Sequence, residues 1–537
     1  MKKYLFIAVS LLTAIPLSAQ ETYQNAKLVG EDLNGTARYV GMGGAMEALG
    51  ADISTISSNP AGIGLFRRST AAVSFGLVML DDNSFDGASK TKGSFDQIGF
   101  VYSTQTRADS YINFAFNYHK GKNFNQILSA ANTLGKGSSQ NLSFQKGARG
   151  SVSNGGFNVG QDKNNVYIGY YDERSSKEAN TFSQIDYLNW NMLIPDERGN
   201  FDFCKASDFE FGRVTSGYIG NYDFNISGNI HERVYLGVNF GFKDVHYRDY
   251  SQYKENVIAG GAPAGSVTYW DEREITGSGF DVSVGAIVRP VEYSPFRIGV
   301  SVKTPTWYSL NTSNYTSLKN ESDYGIVNNG KSQESYDFKV FTPWKFGVSL
   351  GHTVGNYLAL GASYDYEDYS ATDPRINDGV VYEGWDAYET STRDRFMKNH
   401  TEKTLKSVST LKIGAEVKAS PEVAVRVGYN YVSPAFNEKG QKDGTVNSPG
   451  SYYASTTDYT NWKSINRVTC GVGYSHGGFT ADLAYQYSAQ KGDFYPFMNA
   501  QTTYKSGTEE VTVVNECNAT KVNNNRHQLL LTLGYRF

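Results

Sequence analysis

The chain of 537 residues has little cysteine, little proline and, beyond its first twenty residues, no long hydrophobic run. Its three cysteines are an odd number without CxxC or Cys/His metal spacing, which excludes a zinc module and a disulfide-dense scaffold. Because no later stretch reaches about 18 apolar residues, a membrane-spanning helix is not expected. The formal net charge is −4 and no basic block occurs, which argues against nucleic acid as a partner.

The N-terminus predicts export. Two lysines precede the apolar run 5–12, and a small-residue end follows at Ser18 and Ala19. We interpret residues 1–19 as a Sec signal peptide. No cysteine follows the run, so a lipoprotein anchor is not predicted. The mature chain is therefore either soluble outside the inner membrane or spans the outer membrane of a Gram-negative bacterium as a barrel.

The chain is rich in glycine and aromatic residues, which are threaded through segments of regular alternation. Leu236, Val238 and Phe240 alternate with polar or small residues, and the last eleven residues, HQLLLTLGYRF, repeat the pattern. Such two-faced segments are typical of strands in a membrane barrel, where one face meets lipid and the other lines the interior. The pattern occurs at 69–79, 95–104, 111–119, 217–229, 233–247, 279–289, 296–308, 343–352, 357–366, 407–418, 423–432, 467–475, 478–488 and 527–537.

The connections between these segments alternate in length. Seven long polar loops, the largest at 120–216, are separated by short links at 105–110, 230–232, 290–295, 353–356, 419–422 and 476–477. Outer-membrane barrels sort their loops in this way, whereas soluble sandwiches do not. We therefore predict an all-β fold, a transmembrane antiparallel β-barrel of about fourteen strands over residues 69–537, with periplasmic termini and seven extracellular loops. Residues 126–134 of the largest loop are predicted to form a short amphipathic helix.

Residues 20–68 lack this alternation and are predicted to form a plug, or hatch, inside the barrel. Gly41, Gly43 and Gly44 permit close packing against other backbone. Asn59 and Pro60 favour a turn before the first strand, and Ala61 leaves room for the wall to approach. We expect these residues to dock the plug where the wall opens and to take part in gating.

The segment GTARYVGMGGAMEALGADISTISSNPAGIGLF resembles the N-terminal hatch of the FadL/TodX family of outer-membrane channels for hydrophobic compounds. Its Asn-Pro-Ala motif is residues 59–61, and the segments 423–436 and 466–488 resemble late strands of the family. The resemblance implies passive uptake of a hydrophobic small molecule, such as a long-chain fatty acid or an aromatic compound. It further implies gating by the hatch and lateral release into membrane lipid past a kinked strand, with no enzymatic activity and no cofactor.

We also expect a monomer whose C-terminal strand, ending at Phe537, is recognised by the barrel-assembly machinery. Cations on the predicted lumen faces could bind a fatty-acid carboxylate, and they are Lys243, Lys303, Lys345, Lys412, Arg426 and Arg467. The favoured alternative is that they pair with wall carboxylates at Asp281, Asp365, Glu416 and Asp482. Cys204 and Cys517, both in long loops, are predicted to form a disulfide, and Cys470 is predicted to stay reduced on the lipid face.

Two other functions stay open. A haem receptor would need an exposed axial ligand, and His400 is the one histidine clearly placed in a long loop. A structural or adhesive barrel would act through its loops alone. A phospholipase is disfavoured because no activated serine stands out, and an open porin is disfavoured by the plug.

Overall fold

The computed structural model describes residues 21–81, 84–150, 156–157, 159–161, 166–168, 183–191, 204–322, 327–383, 386–506 and 509–537. The predicted signal peptide, residues 1–19, lies outside the described residues. Six helices are α1 (Thr22–Leu28), α2 (Ala37–Gly41), α3 (Ser139–Arg149), α4 (Gln184–Asn191), α5 (Arg395–Thr404) and α6 (Pro449–Tyr452). Short 3-10 turns cover Ile53–Ile56, Pro60–Leu65 and Tyr369–Ala371. None of the described helices is both long and apolar enough to cross a membrane.

The strands dominate the fold. They are β1 (Thr70–Leu80), β2 (Thr91–Arg107), β3 (Ser110–Asn123), β4 (Gln126–Thr133), β5 (Val159–Gln161), β6 (Val166–Ile168), β7 (Lys205–Ile230), β8 (Val234–Ala259), β9 (Ala262–Val288), β10 (Arg297–Lys303), β11 (Trp307–Ser322), β12 (Val327–Phe341), β13 (Lys345–Val354), β14 (Leu358–Asp368), β15 (Asp373–Glu383), β16 (Asp386–Arg393), β17 (Ser407–Lys418), β18 (Val423–Val432), β19 (Tyr459–His476), β20 (Phe479–Tyr495), β21 (Ala500–Ser506), β22 (Glu509–Asn515), β23 (Thr520–Asn523) and β24 (Arg526–Arg536).

Fourteen of these strands close into one antiparallel barrel. The closing seam joins the first and last strands, with Thr70 opposite Arg536 and Leu80 opposite Arg526. Around the wall the order is β1, β2, β3, β7, β8, β9, β10, β13, β14, β17, β18, β19, β20 and β24. The predicted fold class and strand number are therefore confirmed.

The barrel carries an apolar belt on its outer surface. On β8, Leu236, Val238, Phe240 and Phe242 point outward and are 37–50% exposed, while Asn239 between them is buried. Beyond Phe242 the outward positions become polar, at Asp244, His246 and Arg248. An apolar exterior with a polar boundary is what a lipid-facing surface requires, so the alternation predicted from the sequence is confirmed on this strand.

Several strands run far beyond the belt, which corrects the predicted loops. β8 and β9 continue as one hairpin whose turn, Gly260 and Gly261, has positive φ at both residues. The largest predicted loop, 120–216, begins and ends in strand. Its predicted helix at 126–134 is wrong, because β4 lies there and pairs with β7 from Gln126 opposite Thr215 to Thr133 opposite Asp208. The edge of the long neighbouring strand satisfies this backbone, and tertiary pairing outweighs local preference.

The strand ends on the long-loop side of the barrel share a packed core with the loops. Phe209, Phe211 and Phe494 lie in the largest buried cluster together with Leu142 of α3 and Leu188 of α4. Ser138 and Ser139 at the start of α3 both donate to the buried Glu255 of β8, with Oγ to Oε1 distances of 2.7 and 3.0 Å. We call this assembly of loops and strand ends the cap. It covers the mouth of the barrel on the long-loop side.

Candidate functional site

The N-terminal segment lies inside the barrel, and its backbone packs against glycines of the wall. Gly351, Gly361, Gly414 and Gly428 stand directly opposite one another across four neighbouring strands. A Cβ atom at Gly361 would overlap the carbonyl of Ala45, and those at Gly414 and Gly428 would overlap the backbone at 42–43. Glycine in these strand interiors therefore permits a second backbone to approach. We call this row the glycine ladder.

The plug glycines named from the sequence face the same part of the wall. Gly43 and Gly44 have φ of 64° and 81°, values that favour glycine. The carbonyl of Gly41 accepts a hydrogen bond from Thr469 Oγ1 at 3.1 Å, and that of Gly43 accepts one from Asn430 Nδ2 at 3.4 Å. These residues belong to the docking surface of the plug.

The Asn-Pro-Ala motif docks on the wall at β7 to β10. Asn59 Oδ1 accepts from the amide of Ala61 at 3.1 Å and so caps the 3-10 turn that Pro60 begins. Asn59 Nδ2 donates to the carbonyl of Val300 at 3.4 Å, and the carbonyl of Pro60 accepts from Asn225 at 3.3 Å. The sequence predicts that this motif docks where the wall opens. The ladder of wall strands is continuous beside the motif, so the motif does not lie at an opening.

All six lumen cations named from the sequence sit beside carboxylates. The shortest ion-pair distances from each cation are 3.5 Å for Lys243 to Asp281, 2.9 Å for Lys303 to Glu31, 3.3 Å for Lys345 to Asp365, 2.6 Å for Lys412 to Glu47, 2.6 Å for Arg426 to Glu416 and to Asp482, and 3.2 Å for Arg467 to Asp32. This arrangement favours the pairing alternative over substrate binding. Sequence reasoning missed the plug carboxylates Glu31, Asp32 and Glu47, although Glu31 and Asp32 form an acidic pair just before the glycine-rich segment.

A cavity of about 270 Å³ lies between the plug and the cap. Its apolar lining comes from α1, from the broken wall strand β3–β4 and from the segment that follows β18. The principal apolar side chains are Tyr23, Phe124, Leu128, Tyr247, Phe436 and Trp462. An apolar cavity of about 150 Å³ in another protein is large enough to hold benzene. The cavity can therefore hold a compact hydrophobic molecule.

Lys27 of α1 gives this cavity a cation that is not ion-paired within the described chain. Its Nζ donates to Tyr247 Oη at 2.6 Å and lies 4.9 Å from the centre of that ring. Enclosure by the protein lowers the pKa of Lys27 to about 7. The cavity thus combines apolar side chains with charged residues that are mostly ion-paired, and Lys27 adds an amine whose charge changes near neutral pH.

The wall beside this cavity has a seam between β2 and β3. The two strands pair from Arg107 opposite Ser110 up to Gln97 opposite His119, and the described chain shows no pair beyond that point. β2 continues to Thr91 along β1 alone, and β3 continues to Asn123 along β7 alone. Each strand has an irregularity just past the last pair, at Asp96 and at Gly121. Bulges of this kind end pairing and redirect a strand.

The start of the plug reaches the cap. Tyr23 stacks on Phe436 with 5.0 Å between ring centroids and donates to Asn461 Oδ1 at 2.7 Å. Thr22 Oγ1 lies 2.8 Å from Nδ1 of His400, whose Nε2 lies 2.9 Å from the carbonyl of Gln441. Burial lowers the pKa of His400. Both ring nitrogens are occupied, so His400 does not offer the open ligand position that haem capture would need.

Cys204 and Cys517 pack in the same buried cluster but are thiols in this structure, not the predicted disulfide. The Cys204 sulfur is directed to Ser138 Oγ at 3.6 Å and that of Cys517 to the carbonyl of Phe497 at 3.3 Å. The two sulfurs have different partners, which is the physical reason for the correction. Cys470 is an exposed thiol on the outer face of β19.

No family model matches the sequence, and no curated protein matches it. Solved structures with a similar fold include the toluene transporter TodX of Pseudomonas putida, with 10% identity and a TM-score of 0.45 over 95% of this chain and 100% of that one. The toluene transporter TbuX of Ralstonia pickettii has 12% identity and a TM-score of 0.46 over 94% and 99%, respectively. A FadL homologue of Pseudomonas aeruginosa has 11% identity and a TM-score of 0.46 over 95% and 99%. With identities of 10–12% and TM-scores below 0.5, these likenesses do not establish what this chain carries.

Proposed function

We propose that this chain is an outer-membrane channel for passive uptake of hydrophobic small molecules, fatty-acid-like or aromatic. The observation that carries the proposal is the 270 Å³ cavity, lined by aromatic and aliphatic side chains inside a plugged barrel with an apolar exterior. Ligand sites are typically concave and mostly apolar, with few polar groups that fix orientation. The cavity supplies such apolar side chains, and most of the charged residues that also line it are ion-paired, as Arg213 is with Asp458 and Lys442 with Glu21.

The proposed route runs from the cap into the cavity and then laterally into membrane lipid. The cavity is lined by residues 122–126 of the broken wall strand, so it borders the β2–β3 seam. Outside the seam, Phe75 and Phe95 are exposed side by side, with 5.7 Å between ring centroids. Lateral release supplies an apolar path from cavity to membrane and avoids the periplasm, where such molecules dissolve poorly.

Substrate selection would follow from what the cavity leaves unpaired. Since the six lumen cations are matched by carboxylates, Lys27 is the better candidate for contact with an anionic head group. A neutral aromatic compound would use the apolar lining alone. In this proposal no covalent chemistry takes place, no cofactor is needed, and the protein acts as a monomer inserted by the barrel-assembly machinery through the strand that ends at Phe537.

Equilibrium binding in detergent with palmitate and toluene as probes tests the proposal. Ala435 lines the cavity, so Ala435→Trp should fill it and abolish binding of whichever probe the wild type holds. Ala419→Trp, at an exposed short turn on the other end of the barrel, is the matched control and should bind normally. Absence of binding of both probes by the wild type would reject the proposal and leave a structural or adhesive role through the loops.

A further inference from the structure

Three lysines and one aspartate form a cluster on the outer surface of the barrel. Asp493 of β20 lies opposite Lys521 of β23, and Asp493 Oδ1 is 2.5 Å from Lys521 Nζ. Asp493 Oδ2 is 3.1 Å from the Nζ of Lys463, which lies at the register irregularity of β19. Lys491 precedes Asp493 by two residues and therefore shares its strand face. We call these four residues the lysine cluster.

The lysine cluster faces away from the lumen, on the long-loop side of the apolar belt. Leu483 of β20 is 46% exposed in the belt, and alternate residues from there to Asp493 share its face. The side chains of Lys521 and Lys463 are 75% and 50% exposed. Lys463 also borders the 270 Å³ cavity, but its ammonium group is directed to Asp493.

The cluster lies close to the lipid boundary. Tyr487 of β20 lies opposite His527, which pairs with Asp81, so the outward positions become polar at this level. At about 3.3 Å per residue, Lys491 is on the order of 13 Å along β20 beyond Tyr487. Strands of such barrels are tilted by about 35–45°, so the height above Tyr487 is roughly 10 Å. With the long loops outside the cell, this level holds the headgroups of the outer leaflet.

Carboxylates do not match the positive charge of the cluster. The exposed pair of Arg248 with Glu274 on β8 and β9 is one to one. In the cluster, two lysines share the single carboxylate of Asp493, and the described chain shows no ion pair for Lys491. Three ammonium groups beside one carboxylate leave two positive charges without a partner.

We propose that the lysine cluster binds the phosphorylated sugar headgroup of a glycolipid in the outer leaflet, as in lipopolysaccharide. Lysine ammonium groups bind phosphate as compact point charges, and clusters of basic residues at a membrane surface attract anionic headgroups. Two phosphates supply the charge that Asp493 leaves unmatched, while Leu483 and Tyr487 lie on the same face to contact the acyl chains. The inference does not depend on what the channel carries.

Native mass spectrometry of the detergent-solubilised chain, titrated with diphosphoryl lipid A, tests the site. The triple variant Lys463→Gln, Lys491→Gln, Lys521→Gln should bind the lipid about thirtyfold more weakly than the wild type, because it removes all three cations. Raising the salt concentration should weaken binding to the wild type, since exposed charges are screened. Equal binding by the triple variant and the wild type would overturn the site, as would the absence of binding by the wild type.

A second triple variant is the matched control. Lys254→Gln, Lys319→Gln, Lys331→Gln makes the same change of charge at outward positions of β8, β11 and β12. It should bind lipid A as the wild type does. An equal loss in both triple variants would show that net charge alone governs binding and would overturn the assignment to this cluster.

Two further ligands identify the source of the phosphate. Lipid A stripped of its phosphates should bind to the wild type as weakly as diphosphoryl lipid A binds to the cluster variant, and undiminished binding would overturn phosphate recognition. Inorganic phosphate at the same concentration should not displace the lipid, because it lacks acyl chains. Displacement by inorganic phosphate would assign the cluster to a soluble anion and overturn the lipid headgroup.

Discussion

The two halves of the N-terminal segment are held by different forces. Residues 35–66 press backbone against the glycine ladder and against wall glycines on β7 to β10, with no room for a Cβ between them. Residues 21–34 bury Tyr23, Leu28 and Leu33 in separate clusters and add polar side-chain contacts to the cap and to the edge of β3. Residues 35–66 cannot shift without deforming the wall, whereas residues 21–34 can exchange their hydrogen bonds for water. Residues 35–66 therefore anchor the segment, and residues 21–34 are the part that can move.

The largest effect is expected where the anchoring half meets the wall. Gly361→Leu would drive a side chain into the carbonyl of Ala45 and should destabilise the seated plug by about 3 kcal/mol, the upper part of the usual range for overpacking. Limited proteolysis should then cleave within residues 35–66 while the barrel keeps its heat-modifiable mobility on gels. Gly135→Leu, which meets open space, is the control. Protection equal to wild type in Gly361→Leu would contradict the anchoring role of residues 35–66.

Lys27 probes the moving half. Lys27→Met should weaken binding of palmitate about tenfold at pH 6, because charged hydrogen bonds contribute about 1.5–3 kcal/mol. Since the pKa of Lys27 is about 7, the amine is cationic below that pH and neutral above it, so wild-type affinity for palmitate should fall between pH 6 and pH 8.5. Toluene should show no such dependence. Calorimetric titration measures both, and an unchanged affinity profile in Lys27→Met would remove the amine from the site.

Asn59 lies in the anchoring half, residues 35–66, and separates anchoring from gating. Asn59→Ala removes the cap of the 3-10 turn and should cost about 1 kcal/mol of plug stability. The uptake rate should stay at the wild-type value, because Asn59 docks on a continuous part of the wall. Hydrogen exchange over residues 53–66 reports the first effect and a transport assay the second. A changed uptake rate would return the gating role to the Asn-Pro-Ala motif.

The smallest effect is expected at the cap. Thr22→Val removes the bonds to His400 and Thr401 and should loosen α1 by less than about 1 kcal/mol. Hydrogen exchange over residues 21–28 should rise two- to threefold, with no change over residues 35–66. Thr457→Val, which removes a bond to the carbonyl of Pro496 elsewhere in the cap, serves as the control. Equal changes in both halves would mean that the plug moves as one body.

The barrel could be predicted from the sequence because alternation is a local property of each strand. Leu236 to Phe242 show which face meets lipid without knowledge of any neighbour, and the short links fix the hairpins. The strand ends could not be predicted in this way. Residues 126–133 and the far halves of β7 to β9 are strand because a partner edge lies beside them, and their own pattern does not reveal it.

The candidate site was harder to predict for the same reason. The six lumen cations were predicted on the correct face of their strands. Their partners Glu31, Asp32 and Glu47 could not be predicted, because they come from a segment without periodicity. In the sequence the residues of the glycine ladder are separate glycines. Only the register of the paired strands shows that Gly361 lies opposite Gly351 and Gly414.

The long β8–β9 hairpin extends far beyond the apolar belt and carries the cap at its outer end. At about 3.3 Å per residue, the part of β8 beyond Phe242 is on the order of 50 Å long. In an outer membrane such a tower would stand among the sugar chains of lipopolysaccharide, well above the lipid headgroups. A hydrophobic molecule approaching the cell would then meet this protein within the saccharide layer, before it reached the lipid, and so would an antibody or a phage.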